Sequence, residues 1–332
     1  MTTLESLWQS LESAANGGLL YQRYPGIVPD VYAGIRPGNA GPERVLAIGL
    51  DAPFAPLPET LNGLNLRVER VADPLQPARQ LLLLTLGNPA LNDLFAVFSE
   101  DLIAQIGQQT AQEPMLTLLV DRLEHWRALF ESYSPAGLSA EAQWGLFGEL
   151  WFLRKRLTET TDATRCLTGW TGPTGAVHDF QWPTVAVEVK TSVAVNPQQF
   201  YVSNERQLDD AGLGHLILLF LALDAKPIAR PDAGETLNDL ADAVAHSLQS
   251  TPALLNQFRL RLYETGYFPE HRARYDQPGY TVRQSRWFRV GEGFPRLREA
   301  DVPTGVGELR YAVSLAACGP FEVGENNVAD WL

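Results

Sequence analysis

The sequence predicts an α/β protein built around a mixed sheet that is flanked by helices. Between residues 136 and 230, the pattern runs from a long helix through a strand hairpin, a third strand and a short helix to a buried strand. The 332 residues are 45% hydrophobic, which is enough for a core and for roughly two or three domains. Pro, Gly and Ser at 134–139 interrupt the periodic pattern and mark a domain boundary.

Residues 1–135 predict an N-terminal α+β region without a catalytic cluster. Its first helix has an apolar face formed by Leu4, Leu7, Trp8 and Leu11. A hairpin around Gly38 and Asn39 follows, and then a buried strand at 78–86. Two helical patterns, at 90–106 and 114–132, close the region.

Residues 136–230 predict the α/β core. Ser139 is placed to cap a helix whose apolar stripe consists of Leu146, Leu150, Leu153 and Leu157. The elements after this helix are, in order, two hairpin strands at 177–182 and 184–192, a strand at 200–203, a short helix at 204–210 and a buried strand at 215–223. Residues 231–332 predict a C-terminal region with helices at 231–262 and then irregular chain with short strand candidates.

Charge is distributed unevenly along the chain. The formal net charge is -13, which argues against binding to nucleic acid by bulk electrostatics. The segment 259–299, however, has nine arginines against five acids, so it carries +4 and the remainder carries -17. Aromatic residues are interleaved with these arginines, as suits phosphate contacts and stacking on unpaired bases.

Two interpretations of the segment 259–299 stay open. In the first, its arginines bind substrate phosphates, and we take Arg283, Arg286 and Arg289 as the candidates. In the second, the arginines tie an extended C-terminal segment to an acidic body. The sequence favours neither.

The stretch HDFQWPTVAVEVKTS, residues 178–192, holds the strongest candidate site. Strand side chains alternate, so Ala186, Glu188 and Lys190 share a face. If the hairpin turns at Trp182 and Pro183, Asp179 lies opposite Ala186 and diagonal to Glu188. Diagonal neighbours are roughly 7 to 8 Å apart, which is close enough for two carboxylates to bind one ion.

Two carboxylates and the backbone carbonyl of Val189 make the oxygen-rich kind of site that Mg²⁺ prefers, with Mn²⁺ as an alternative. Lys190 would orient or deprotonate a water and stabilise charge in a phosphoryl transition state. The plain alternative is a Glu and a Lys on a solvated strand face. Asp224 and Lys226 repeat the acid-x-Lys spacing, but Pro227 follows at once, so we interpret that pair as the end of a strand.

The order of helix with acid, strand with Asp179, strand with Glu188-Val189-Lys190 and then helix resembles the core of the PD-(D/E)xK nuclease superfamily. His178 stands where the proline of that motif would be. The segment LSAEAQWGLFGELWFL resembles the preceding helix of a family placed in this superfamily and found beside defence and restriction genes. That likeness extends over most of the chain, including FPRL near 294 and LRYAVSL near 309.

The resemblance implies a restriction-endonuclease-like fold for residues 136–230, metal ligation by Asp179 and Glu188, and water activation by Lys190. It adds Glu149, which borders the buried stripe of its helix, as a further metal ligand or water holder. It also makes Gln207 a candidate contact to the substrate. Asn204 and Gln207 equally form a capping box, the interpretation we prefer. His178 is more simply explained as a spectator.

The function predicted is that of an Mg²⁺-dependent phosphodiesterase acting on DNA with protein partners in a restriction or phage-defence system. One alternative is a nuclease fold that no longer cleaves and serves as a binding or assembly module. Another is a hydrolase of small phosphate esters. Two isolated cysteines, Cys166 and Cys318, and the lack of a signal-peptide pattern or a bilayer-length apolar run predict a cytoplasmic protein.

Overall fold

In the computed structural model, the chain forms two compact units, residues 1–134 and 135–332. The residues that the structure describes are 4–14, 20–25, 29–38, 41–52, 57–58, 61–62, 65–74, 76, 78–109, 111–132, 136–196, 198–307, 309–329 and 331–332. In this part of the chain, no helix is long and apolar enough to cross a bilayer. The architecture is mixed α/β, as the sequence predicts.

The first unit is a five-stranded antiparallel sheet with helices. Its strands follow the order β1-β2-β3-β5-β4, with bounds β1 Leu20–Tyr24, β2 Val31–Gly38, β3 Gly41–Asp51, β4 Leu66–Ala72 and β5 Arg79–Leu86. Its helices are α1 (Leu4–Ala14), α2 (Asn92–Ile106) and α3 (Gln112–Ser132). The predicted hairpin pairs Gly38 with Gly41, and its turn at Asn39 lies outside the described residues.

Trp8 joins the first helix to this sheet. Its indole N–H lies 3.1 Å from the carbonyl oxygens of Gly34 and of Val45, on two adjacent strands. The ring is fully buried, so the apolar face predicted for α1 is the face that packs.

The second unit is built on a mixed five-stranded sheet of order β12-β10-β9-β7-β6. Its strands are β6 (Phe180–Gln181), β7 (Val185–Ser192), β9 (His215–Lys226), β10 (Gly279–Val290) and β12 (Glu322–Val323). β7 and β9 run parallel, and the other neighbours are antiparallel. A separate antiparallel pair consists of β8 (Gln199–Val202) and β11 (Tyr311–Ser314).

The long strand β9 is apolar on both faces because both are covered. Ile217, Leu219, Leu221 and Leu223 belong to a core with the helices, which are α4 (Ala140–Glu159), α5 (Ala163–Gly169), α6 (Leu237–Leu248) and α7 (Pro252–Glu264). Leu216, Leu218, Phe220 and Ala222 belong to a second core with β8 and β11. Two short helices, α8 (Arg272–Tyr275) and α9 (Glu325–Ala329), complete the unit.

One of the short strand candidates of the C-terminal region is confirmed as β10, whereas the short helix predicted at 204–210 is wrong. β10 is a 12-residue strand hydrogen-bonded along β9, so the chain after residue 230 contributes to the same sheet as the predicted core. The short helix predicted at 204–210 is instead a series of turns. There the Asn204 side chain accepts from the N–H groups of Arg206 and Gln207, and such local bonds compete with helix formation.

Helix α4 approaches strand β7 closely at Gly148. A Cβ on this glycine would lie 2.5 Å from Cγ2 of Thr191 and 3.1 Å from Cγ1 of Val189. Ser139 caps the helix by accepting from the N–H of Ala142, as predicted. The missing side chain at 148 therefore sets how near Glu149, the next residue, comes to the sheet.

Gly148→Ala is expected to destabilise the protein. Alanine favours a helix over glycine by about 1 kcal/mol, but overpacking a close contact costs about 1–3 kcal/mol. Gly145→Ala is the matched control, since nothing lies within 4 Å of the added Cβ on the same helix, and it should stabilise. Urea denaturation of both variants checks this, and equal stabilisation by the two would contradict the close approach.

Candidate active site

The hairpin of β6 and β7 sets the geometry of the site. Phe180 pairs with Val187, Gln181 pairs with Ala186, and the N–H of Trp182 donates to the carbonyl of Val185 at 2.8 Å. The turn therefore consists of Pro183 and Thr184, because proline has no N–H to give to the ladder.

The predicted hairpin register is wrong by two residues. Continued by one step, the observed register brings Asp179 opposite Glu188, where we had expected Asp179 opposite Ala186. The loop still has an even number of residues, so the parity that relates Asp179 to Glu188 is unchanged. Asp179 directly precedes the paired residue Phe180, and its side chain reaches β7 at the N–H of Val189.

Asp179 is held by the neighbouring strand. Its Oδ2 accepts from the backbone N–H of Val189 at 2.7 Å. Its Oδ1 lies 3.2 Å from the point where a Cβ would stand on Gly172, and Oε2 of Glu149 lies 3.2 Å from the same point. Because both oxygens lie 3.2 Å from one point, Oδ1 of Asp179 and Oε2 of Glu149 cannot be further apart than twice that distance. Burial raises the pKa of Asp179, against the lowering effect of Lys190.

Glu149 reaches the site from helix α4. Its Oε2 accepts from the indole N–H of Trp170 at 2.7 Å, and the Trp170 ring is fully buried. Burial and the neighbouring charge of Asp179 raise the pKa of Glu149 well above its ordinary value. This carboxyl therefore favours its protonated form until a cation offsets the repulsion.

Glu188 is the most buried acid of the cluster, with 1% of its surface exposed. Its Oε1 lies 2.8 Å from Nζ of Lys190, and its Oε2 is buried without a hydrogen-bond partner. Burial and the charge of Asp179 raise the pKa of Glu188 to about 8. An unpaired buried carboxylate oxygen is costly, so a ligand for it is expected.

Lys190 lies between Glu188 and Gln207. Burial acts to lower its pKa, but the carboxylates of Glu188 and Asp179 outweigh burial, so the pKa is raised and the lysine stays charged. Nζ also donates to Oε1 of Gln207 at 2.9 Å. The side chains of Glu188 and Lys190 are thus in contact and largely shielded from water, unlike two residues on a solvated face.

Gln207 does more than cap. Its N–H donates to Oδ1 of Asn204 at 3.1 Å, which is half of the capping box that we predicted. Its side chain turns instead to Ser203, whose N–H donates to the same Oε1 that accepts from Lys190, at 2.9 Å. Gln207 therefore links the lysine to the end of strand β8.

The three candidate arginines of β10 have other partners. Arg283 sits at a β-bulge and donates to Asp224, and Arg286 makes two hydrogen bonds to Glu322. Arg289 lies over the ring of Trp331, 5.7 Å from its centroid. The contacts of Arg283 and Arg286 agree with the second interpretation, in which the arginines tie the C-terminal segment to acidic residues. Phosphate binding by the three arginines stays a prediction.

The other sequence candidates lie as follows. Lys226 ends β9 and pairs with Asp232, so the second acid-x-Lys motif is the strand end that we predicted. His178 is buried beside Asp179, and burial lowers its pKa. Cys166 and Cys318 are both free and buried. Sequence reasoning missed Trp170 and Gly172, although their stretch GWTGPTG, rich in glycine between a helix and a strand, was a signal for a built loop.

The donor set fits a hard cation. Gly172 leaves open the space between two carboxylates, and Glu188 offers an unpaired buried oxygen. Within the described ranges, no group of three or more His, Cys, Asp or Glu side chains is arranged to hold a metal ion by itself. Water or phosphate oxygens would have to complete the shell, as is usual for Mg²⁺.

The fold and this site define a class of protein, namely mixed α/β proteins that gather carboxylates around one buried lysine on a strand hairpin. Residues 4–316 match the model of a family described as "Putative PD-(D/E)XK family member, (DUF4420)". The chain belongs to this family, which confirms the resemblance seen in the sequence. No curated protein and no solved structure matches the chain.

The family description indicates a nuclease. PD-(D/E)XK nucleases generally use divalent metals. Both statements agree with the carboxylate-rich donor set described above.

The stability of the cation-free protein should decrease as pH rises. The folded pKa of Glu188, about 8, exceeds its ordinary value of 4.5, so folding takes up a proton that the unfolded chain has released. That contribution is complete below about pH 4.5 and is lost as pH passes through about 8. Glu188→Gln should therefore become more stable relative to the wild type with rising pH.

Urea denaturation in a chelating buffer over this pH range measures the effect. Glu292→Gln, at an exposed glutamate just after β10, is the control and should follow the wild type. If the curves of Glu188→Gln and wild type stay parallel, Glu188 is not protonated in the folded state.

Proposed function

We propose that this protein is a metal-dependent phosphodiesterase that cleaves DNA. One observation carries the proposal: at a strand hairpin, Glu188 lies 2.8 Å from Nζ of Lys190, and Asp179 and Glu149 each have an oxygen 3.2 Å from one point beside Gly172. A cluster of buried acids is unfavourable by itself, because each charge opposes the ionisation of the others. A bound cation would make it favourable.

Asp179, Glu188 and the carbonyl of Val189 would hold Mg²⁺ or Mn²⁺, with Glu149 as a further ligand or water holder. A divalent ion in this position supplies charge stabilisation for a phosphoryl group and lowers the pKa of water. A hydrogen bond from the indole N–H of Trp170 orients the carboxylate of Glu149, and a hydrogen bond from the N–H of Val189 orients that of Asp179. The site is therefore built before substrate arrives.

Lys190 would act on the attacking water and on the charge that develops on the phosphate. Glu188 and Gln207 both bind its ammonium group, so its position is determined from two sides. Its raised pKa makes it a donor of hydrogen bonds and positive charge at neutral pH. Removal of a proton from water then falls to a carboxylate or to the substrate itself.

We place this activity in a restriction or phage-defence complex, as the family resemblance suggests, and in the cytoplasm, as the cysteine content and the N-terminal sequence predict. A net charge of -13 and the internal pairing of Arg283 and Arg286 favour help from a basic protein partner. The same two observations favour the second candidate, a nuclease fold that binds or assembles without cleaving.

Lys190→Ala is expected to abolish cleavage of DNA in the presence of Mg²⁺ or Mn²⁺. The matched control is Lys226→Ala, which removes the lysine of the other acid-x-Lys motif and should leave the rate unchanged. Nicking and linearisation of a plasmid measure both. Equal rates for the wild type and Lys190→Ala would rule out the proposed role, and loss of activity in both variants would point to a general defect.

Divalent binding tests the carboxylates without relying on activity. Mn²⁺ should raise the melting temperature of the wild type by mass action, and Asp179→Asn should remove that shift. Asp224→Asn, at a half-buried acid of β9 that pairs with Arg283, should keep it. Calorimetry that shows no Mn²⁺ binding at about millimolar concentration would defeat the metal site and favour the non-cleaving module.

A further inference from the structure

The small sheet of β8 and β11 has one buried and one exposed face. Val202 pairs with Tyr311 and Phe200 pairs with Val313, and these side chains contribute to the core beneath. By alternation, Gln199, Tyr201, Ala312 and Ser314 point outward. We call these four residues, with Arg310, the outer face.

Tyr201 and Arg310 form an exposed pair on the outer face. Tyr201 is 51% exposed, although it is a large ring on a flat strand. The guanidinium of Arg310 lies over this ring, 5.3 Å from its centroid. The amide of Gln199 donates to the Tyr201 hydroxyl at 3.3 Å. The ring is thus held by two neighbours and still has an accessible surface.

Arg310 differs from most arginines of its unit. Arg272, Arg283, Arg286, Arg296 and Arg298 each pair with an acid. Across the residues that the structure describes, no acid pairs with Arg310, and the residue is exposed. Its positive charge is therefore available for an external anion, although the protein as a whole carries a net charge of -13.

The outer face is linked to Lys190 by hydrogen bonds at the end of β8. Ser203 directly follows β8, and its N–H donates to the Gln207 oxygen that binds Lys190. Tyr311, the neighbour of Arg310, pairs with Val202, the residue just before Ser203. A ligand on the outer face would therefore lie beside the strand end that holds Gln207 and, through it, Lys190.

We propose that the outer face binds unpaired nucleotides of the DNA substrate, with a base stacked on Tyr201 and a phosphate bound to Arg310. This inference rests on the proposed function and specifies its substrate. An exposed aromatic ring beside a cation that has no acid partner among the described residues matches a base beside its phosphate. Stacking also requires a base that is not already stacked in a duplex. The face therefore selects a single strand or an opened end over closed duplex.

The test measures binding and cleavage in the full chain. Binding is measured by fluorescence polarisation in the Lys190→Ala background with Mg²⁺, using a labelled single-stranded oligonucleotide and the same strand annealed to its complement. Tyr201→Ser should weaken binding of the single strand by roughly fivefold or more, the effect of losing one stacking contact. Tyr201→Phe, which retains the ring, should bind nearly as the wild type does.

Arg310→Gln should weaken binding and lower the slope of log affinity against log salt by about 0.7, the value for one phosphate contact to a single strand. Arg259→Gln removes an exposed arginine of α7 and is the charge control. It should change neither the affinity nor the slope.

The two proposals fail in different ways. If the protein with wild-type Lys190 cleaves DNA but Tyr201→Ser and Arg310→Gln bind the single strand normally, the outer face is not the docking surface, and the nuclease function stands. If Tyr201→Ser weakens the binding of the single strand and the binding of the duplex equally, the proposed selection of unpaired bases is wrong. If the variants behave as expected but Lys190→Ala still cleaves, the binding surface stands and the proposed role of Lys190 fails.

Discussion

The contact between Nζ of Lys190 and Oε1 of Glu188, 2.8 Å apart, is the interaction on which the site depends. Burying a single ammonium group or carboxylate is expensive, and a close partner offsets that cost only when the remaining polar atoms are also bonded. Here Gln207 satisfies the lysine from its other side, while one oxygen of Glu188 is left without a partner. The ammonium group thus has two acceptors, whereas one carboxylate oxygen of Glu188 has no partner, so the arrangement has a place for a second positive charge.

Each element around this pair delivers one polar group. Helix α4 brings Glu149, and the close contact at Gly148 determines how near that helix lies to β7. The loop before β6 brings Asp179, whose carboxylate is held by the N–H of Val189. The turns after β8 bring Gln207. Because these groups come from four separate segments, the site exists only in the folded unit, and it is held by backbone or buried side-chain contacts.

The acidity of the protein and its arginines can be understood together. Five of the ten arginines in residues 231–332 pair with acids of the same unit, so part of the local excess of positive charge seen in the sequence is used internally. An arginine that has no acid partner among the described residues, such as Arg310, then matters more than the total charge. If the protein binds nucleic acid as proposed, such a surface would attract it weakly at long range and discriminate at short range.

The sequence by itself determined what depends on local periodicity. The parity of the strand places Glu188 and Lys190 on one face, the even hairpin loop keeps Asp179 with them, and Ser139 starts the helix that carries Glu149. Side-chain direction follows from backbone geometry over a few residues, so these features could be predicted. The family resemblance, which the match over residues 4–316 confirms, rests on the same motif.

Only the tertiary structure decided which distant groups meet. The hairpin register depended on whether Trp182 or Thr184 joins Pro183 in the turn. Several contacts join segments that are far apart in the chain. Trp170 binds Glu149, Asp224 and Glu322 pair with Arg283 and Arg286, and Tyr201 lies beneath Arg310. Such contacts depend on how the chain returns to the sheet, and no local pattern of residues encodes that path.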